Sequence, residues 1–238
     1  MSVSATGPTP ASSAAVQAVP AVLDVSGLII GVLGGTGEQG RGLALRWAAA
    51  GNRVVLGSRR EERAERAAAQ VGHGAVGRSN LECARIADVV VVAVPWDGHA
   101  LLLEDIRRAV DGKIVVDCVN PLGFDKQGAY GLAVKEGSAA QQAAMILPEA
   151  RVTAAFHHLS AVLLLDSQVE TMDTDVLVLG DDREATDTVQ ALAARIPGVR
   201  GIYGGRLRNA HQVEALTANL ISMNRRYRAH AGVRITNL

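Results

Sequence analysis

GVLGGTGEQGRGLALR, residues 31–46, follows a run of apolar residues and opens a segment of helical period. The spacing Gly35-x-Gly37-x-x-Gly40 in that setting is the turn between a parallel strand and the helix that follows it. Glycine is needed because the backbone must turn tightly and approach a pyrophosphate closely. The free N–H groups and positive dipole end of the helix then face the anion. Gly34, Gly35, Gly37 and Gly40 are therefore the expected cradle of a dinucleotide. About one βαβ half-unit later comes VVLGSRR, residues 54–60. In a site for NAD, a carboxylate at the end of this second strand would bind the adenosine ribose. Here the position holds Ser58, Arg59 and Arg60. A hydroxyl and guanidinium groups suit a 2′-phosphate through charge-assisted, often bidentate bonds, whereas a carboxylate would repel it. The ligand read from these residues is NADP. Arg63 lies one helical turn beyond Arg59 on the same face, so Arg59 and Arg63 are expected to bind, with Arg60 and Arg66 as surface charges.

Outward from this turn, short Val/Ile/Leu runs alternate with Ala/Arg/Glu segments of helical period. Strands are expected at 28–33, 53–56, 89–94, 113–118 and 151–155, with a weaker one at 74–77. Helices are expected at 39–50, 61–71, 80–86, 98–109 and 138–147. The strand residues are apolar almost without break, as in parallel strands covered on both faces. The fold class is α/β: a Rossmann-like doubly wound parallel sheet. After Phe156 a further strand at 176–180, a helix at 182–195, the segment VRGIY after Pro197 and an amphipathic helix at 209–228 make a smaller C-terminal α/β domain. The expected division is 1–26 as a disordered N-terminal extension rich in Ser, Thr, Ala and Pro, 27–156 as the NADP-binding domain and 157–238 as the smaller domain.

Composition removes other classes. Lys plus Arg and Asp plus Glu number 24 each, so net charge calls for neither nucleic acid nor an anionic membrane. No apolar run approaches the roughly 18 residues of a membrane helix. The first basic residue is Arg41, so the N-terminus lacks the flank of a signal peptide. Cys83 and Cys118 are too few and too far apart for a disulfide framework or zinc ribbon. A cytoplasmic protein follows. No Ser/His/Asp set, paired carboxylates or metal-ligand spacing is present, and adjacent His157 and His158 would point to opposite faces of a strand.

GVLGGTGEQGRGLALRWAAAGNRVVLGSRREERAE, VVAVPWDGHA, IVVDCVNPL, AAFHHLSA and RLRNAHQVEALTANLISMNRRYRAHAGVRI together resemble the NADPH:coenzyme F-420 oxidoreductases from about residue 28 to the C-terminus. The resemblance implies reversible hydride transfer between NADP(H) and coenzyme F-420, an 8-hydroxy-5-deazaflavin. It implies that Thr36 joins Ser58, Arg59 and Arg63 on the 2′-phosphate, that Glu38 and Gln39 flank the pyrophosphate, and that Val94, His99 and Ala161 bind the nucleotide. His157 and Leu159 would lie where nicotinamide meets deazaflavin, with Ala231 and Gly232 closing over the deazaflavin. Two departures stand out: Ser160 replaces a proline of archaeal members, and Arg63 replaces a lysine, keeping the charge.

No catalytic side chain is expected for such a reaction, because the coenzymes carry the chemistry and the protein positions two rings. Related hydroxyacid dehydrogenases use a lysine after the nucleotide domain, yet no lysine follows Lys135. An imine-type reductase and a non-catalytic NADP sensor remain as alternatives. The apolar face of the 209–223 helix and the AVLLL run at 161–165 point to a homodimer.

Overall fold

The computed structural model describes residues 23–238. Most of the expected extension, 1–22, lies outside the described residues. At 23–26, however, Val25 is only 2% exposed in the core, and its carbonyl accepts Asn52 Nδ2 at 2.8 Å. The ordered chain is therefore anchored two residues before the expected start.

In chain order the elements are β1 (Ile29–Leu33), α1 (Glu38–Ala49), β2 (Arg53–Ser58), α2 (Glu61–Val71), β3 (Val76–Ser79), α3 (Asn80–Ile86), β4 (Val89–Val92), α4 (His99–Ile106), β5 (Ile114–Asp117), β6 (Leu122–Asp125), β7 (Gly128–Gly131), α5 (Ala139–Ile146), β8 (Arg151–Ala154), α6 (Ala161–Leu165), β9 (Thr174–Gly180), α7 (Arg183–Ala194), β10 (Val199–Gly205) and α8 (Ala210–Tyr227). Eight strands form one sheet in the order β10-β9-β8-β5-β4-β1-β2-β3. Every pairing in it is parallel except β8 with β9. Continuous Val and Ile in β4 and β5 place every one of their residues in the interior, because both sheet faces are covered. Leu43, Trp47, Ala67, Val189 and Leu192 pack on one face, and Cys83, Leu103, Ala143 and Val213 on the other.

The C-terminal α/β part is continuous with this sheet. The strand β9 turns back antiparallel to β8, and β10 extends the edge. Sequence periodicity has no signal for direction, so only the pairing reveals it. Two elements escape the sequence pattern. The hairpin β6–β7 is a short two-stranded sheet of its own, rich in glycine. The helix α6 is only five residues long, too brief to show a period. Among the described residues no helix is long and apolar enough to cross a membrane.

Candidate nucleotide and hydride-transfer site

A cleft of about 900 Å³ opens at the carboxyl ends of the central strands. Gly34 stands there with φ +78°, and a Cβ on it would come within 2.4 Å of the Ala93 carbonyl oxygen. A Cβ on Gly40 would lie 2.8 Å from the Gly34 carbonyl oxygen, so α1 can start this close to the turn only with glycine. The Gly37 N–H donates to Gly34 O at 2.9 Å and closes the turn. Gly35 N–H donates to Gly57 O at 3.2 Å, tying the turn to β2. No side chain caps α1 at Gly37, which leaves its first N–H groups for an anion.

Gly34, Thr36 and Gly37 line one side of the cleft, and Ser58, Arg59, Arg60 and Arg63 a second. None of these arginines forms an ion pair with a described residue, and all three line the one cleft. Arg60 is exposed, as expected of a surface charge, and it also lines the cleft. It is the extended residue before α2, with φ −122° and ψ 116°, and helical spacing does not govern it. Val94 lies opposite, with Ala93, Pro95, Asp97, Gly98, Leu101, Leu102 and Asp105. Asn80 also lines the cleft. Asn80 and Asp105 carried no motif in the sequence, and Asp97 stood in the segment VVAVPWDGHA without a role of its own.

Four residues expected on the nucleotide, His99, Gln39, Ala161 and Glu38, are not among those that line this cleft. The side chain of His99 is fully buried, its Nε2 2.6 Å from Asp117 Oδ2 and its Nδ1 2.9 Å from Gln142 Oε1. The residues just before it, Pro95, Asp97 and Gly98, are the ones that line the cleft. Gln39 Nε2 donates to the Phe156 carbonyl at 3.0 Å and so fixes the loop after β8. Ala161 opens α6, whose carbonyl oxygen lies 3.6 Å from where a Cβ on Gly42 of α1 would stand. Glu38 is exposed on the first turn of α1 and is not among the residues of the cleft wall.

The loop after β8 is shaped by Phe156, which is fully buried with φ +65°. Such a conformation costs a bulky residue about 1–3 kcal/mol, and the edge-to-face contact with Trp47, 5.3 Å between ring centroids, holds it. The bend leads into His157 and Leu159, which are 4% and 5% exposed. The His157 carbonyl accepts Asn120 Nδ2 at 2.9 Å and Thr217 Oγ1 at 3.1 Å. Both ring nitrogens of His157 lack partners among the described residues, and burial pushes its pKa down to about 4. The neutral ring therefore keeps one donor and one acceptor uncommitted. His158 has a packing role, with Nε2 donating to the Asp175 carbonyl at 2.6 Å.

The chain end returns to the same place. Ala231 N–H donates to Asn224 Oδ1 at 2.6 Å, and His230 Nδ1 lies 3.3 Å from Ser160 Oγ. Gly232 packs so closely on Thr174 that a Cβ would meet its Oγ1 at 2.5 Å. Because β9 runs antiparallel to β8, its first residues Thr174 and Asp175 lie at the sheet end where His157 emerges.

Beneath the site Glu214, 3% exposed, accepts the N–H groups of Ala139 and Ala140 at 2.9 and 3.1 Å and so caps α5. Burial pushes its carboxyl up to about 7. Burial opposes the charge on His99 too, but its bond to Asp117 wins and its pKa is raised. An acid whose folded-state pKa is raised loses stability as pH rises from its ordinary 4.5 to about 7. Glu214→Gln is therefore expected to gain on the parent by a few kcal/mol across that window, read as urea midpoints at pH 5 and 8. Parallel pH profiles would show that Glu214 ionises freely in the fold.

A family profile described as "NADP oxidoreductase coenzyme F420-dependent" matches residues 29–121. The F420-dependent NADP reductase of Methanothermobacter thermautotrophicus is 43% identical over 221 residues, covering 88% of this chain and 95% of that one. Its counterpart from Methanocaldococcus jannaschii is 36% identical over 222 residues, covering 88% and 98%. Among solved structures, a protein of Arthrobacter sp. FB24, provisionally described as an F420-dependent NADP-reductase, superposes with a TM-score of 0.77 at 26% identity, covering 89% of this chain and all of that one. An imine reductase of Bacillus cereus reaches 0.59 at 17% identity, covering 84% and 60%, a likeness of fold alone. With such identity sustained across most of both sequences, the chain belongs to the coenzyme F-420-dependent NADP oxidoreductase family.

Proposed function

We propose that the protein transfers hydride reversibly between NADP(H) and coenzyme F-420. The observation that carries this reading is the wall of Ser58, Arg59, Arg60 and Arg63 beside the glycine turn, where an NAD site would keep a carboxylate. The names of the relatives, F420-dependent NADP reductases, supply the second coenzyme. Gly34, Gly35, Gly37 and Gly40 let the pyrophosphate approach the start of α1, and Thr36, Ser58, Arg59 and Arg63 hold the 2′-phosphate. Residues 27–156 thus carry the nucleotide, and 157–238 close the deazaflavin side.

When bound, a deazaflavin exchanges hydride at a ring carbon instead of passing single electrons. The protein's part is to hold two ring faces about 3–3.5 Å apart and keep water out. His157 offers an uncommitted donor and acceptor for ring edges, Leu159 gives an apolar wall, and Ala231 and Gly232 lie small and close where bulk would obstruct the second coenzyme. No side chain is assigned as acid or base: the hydride moves as such, and the one proton that balances reduction of the deazaflavin is exchanged with solvent.

The direct test mixes the protein with NADPH and oxidised deazaflavin coenzyme and follows loss of its visible absorbance. Bleaching is expected with NADPH, far less with NADH, and none with riboflavin-type flavins. NADPH binding without bleaching would overturn the second coenzyme and favour an imine-type reductase or a sensor. The protein is further taken to be cytoplasmic, in keeping with two free, buried cysteines, and a homodimer. Phe124 on the hairpin and Met223 and Tyr227 on α8 are 69%, 45% and 71% exposed, apolar surface that a second copy would cover. A monomeric mass in light scattering at micromolar concentration would remove the dimer.

A further inference from the structure

We infer that the Asn80 carboxamide recognises the 2′-phosphorylated ribose and helps set the preference for NADP over NAD, a step that rests on the NADP reading above. Asn80 is the first residue of α3, immediately after Ser79, and Ser79 pairs with Ser58 in the β2–β3 ladder. The sheet therefore brings Asn80 to the same edge as Arg59 and Arg60, about twenty residues away in sequence. All of them line one cleft with Arg63.

Among the described residues no hydrogen bond engages its side chain. The helix is capped by Ser79, whose Oγ accepts the Glu82 N–H at 3.3 Å, so Asn80 is not needed to start α3. Asn80 Oδ1 is buried without a partner among the described residues. An unpaired buried carbonyl costs about 1–3 kcal/mol, and native structures seldom carry one unless a ligand or water completes it. Gly57 makes room for it, since a Cβ there would stand 2.9 Å from Asn80 Oδ1.

The chemistry of the wall distinguishes Asn80 from its neighbours. Arginines only donate, and the carboxylates of Asp97 and Asp105 only accept. Ser58 Oγ already accepts the Arg60 N–H at 3.3 Å. A carboxamide offers an NH₂ donor and a C=O acceptor side by side, without charge. A ribose bearing a 2′-phosphate and a 3′-hydroxyl presents acceptor oxygens and a hydroxyl donor on adjacent carbons. The two edges are complementary when the NH₂ faces the phosphate and the C=O faces the hydroxyl. An aspartate of the same shape would lose the donor and repel the phosphate.

The test is calorimetric titration of the parent, Asn80→Ala, Asn80→Ser and Asn80→Asp with NADPH, NADH, 2′,5′-ADP and 5′-AMP, alongside thermal melts. Asn80→Ala is expected to weaken NADPH and 2′,5′-ADP about 10-fold, with less than about 3-fold on NADH and 5′-AMP. Asn80→Ser should fall between parent and alanine, and Asn80→Asp should weaken the phosphorylated pair by about 100-fold. Equal losses for phosphorylated and unphosphorylated ligands, or no loss, in folded variants would overturn the inference while the parent's NADPH preference stands. A parent that binds NADH as tightly as NADPH would overturn the inference and the NADP reading together.

Discussion

Arg59→Ala/Arg63→Ala is expected to bind NADPH about 10²–10³-fold more weakly than the parent, with NADH nearly unchanged. A hydrogen bond to a charged group contributes about 1.5–3 kcal/mol, and every 1.4 kcal/mol is tenfold in affinity. Two guanidinium partners would amount to about 10²–10⁴-fold. The lower part of that range applies because both arginines are exposed and salt screens them. Arg60 shares the wall and retains part of the attraction, so adding Arg60→Ala should remove most of the remaining discrimination. Titrating each variant with both nucleotides at two salt concentrations separates the terms. A loss common to NADPH and NADH would mean that the arginines hold the cleft open and do not recognise the phosphate.

Asp175→Ala is expected to lower stability by about 2–4 kcal/mol and Tm by roughly 5–15 °C. Asp175 is fully buried at the second residue of β9. Its carboxylate accepts Arg200 Nε and Nη2 at 2.7 Å each, Ile235 N–H at 2.7 Å and Arg234 Nη1 at 3.2 Å. The backbone N–H of the same residue donates to Val233 O at 2.7 Å. One side chain thereby ties β9, β10 and the chain end that carries Ala231 and Gly232. The Arg200 hydrogen bonds hold its carboxyl below the ordinary carboxylate value. A depressed acid contributes stability that is present above its unfolded value, near 3.9, and lost as pH falls towards the folded one. Parent and variant should therefore differ at pH 7 and converge in acid. Amide exchange at Ile235 should quicken in the variant, together with a raised KM for the deazaflavin and an unchanged Kd for NADPH. Slow exchange at Ile235 in a folded Asp175→Ala protein would show that the chain end is held by other contacts.

The glycine turn, the alternation of elements and the arginines after β2 were legible in the sequence because each depends on neighbours within a turn or two. A positive φ needs glycine at Gly34, a buried parallel strand needs an unbroken apolar run, and a 2′-phosphate needs cations near the end of β2. The side-chain partners of His99 and Gln39 were not legible for the opposite reason. Both follow the cleft segments closely in sequence, yet partners far away in the chain claim their side chains: Asp117 and Gln142 for the first, Phe156 for the second. Arg60 is exposed as the sequence suggested, and its place beside the cleft was not legible because it precedes the helix whose spacing relates Arg59 to Arg63.

By itself, then, the sequence determined a doubly wound α/β protein with a glycine turn and arginines of the kind that suit NADP, through rules that act along the chain. Tertiary structure alone decided that β9 reverses against β8, that Asn80 lines one cleft with Arg59, Arg60 and Arg63, and that Asp175 gathers the chain end beside His157. Those depend on hydrogen bonds and burial between residues such as Asp175 and Ile235 or Asn120 and His157. No local pattern encodes such partners, because a buried polar group can be satisfied by any segment the fold brings to it.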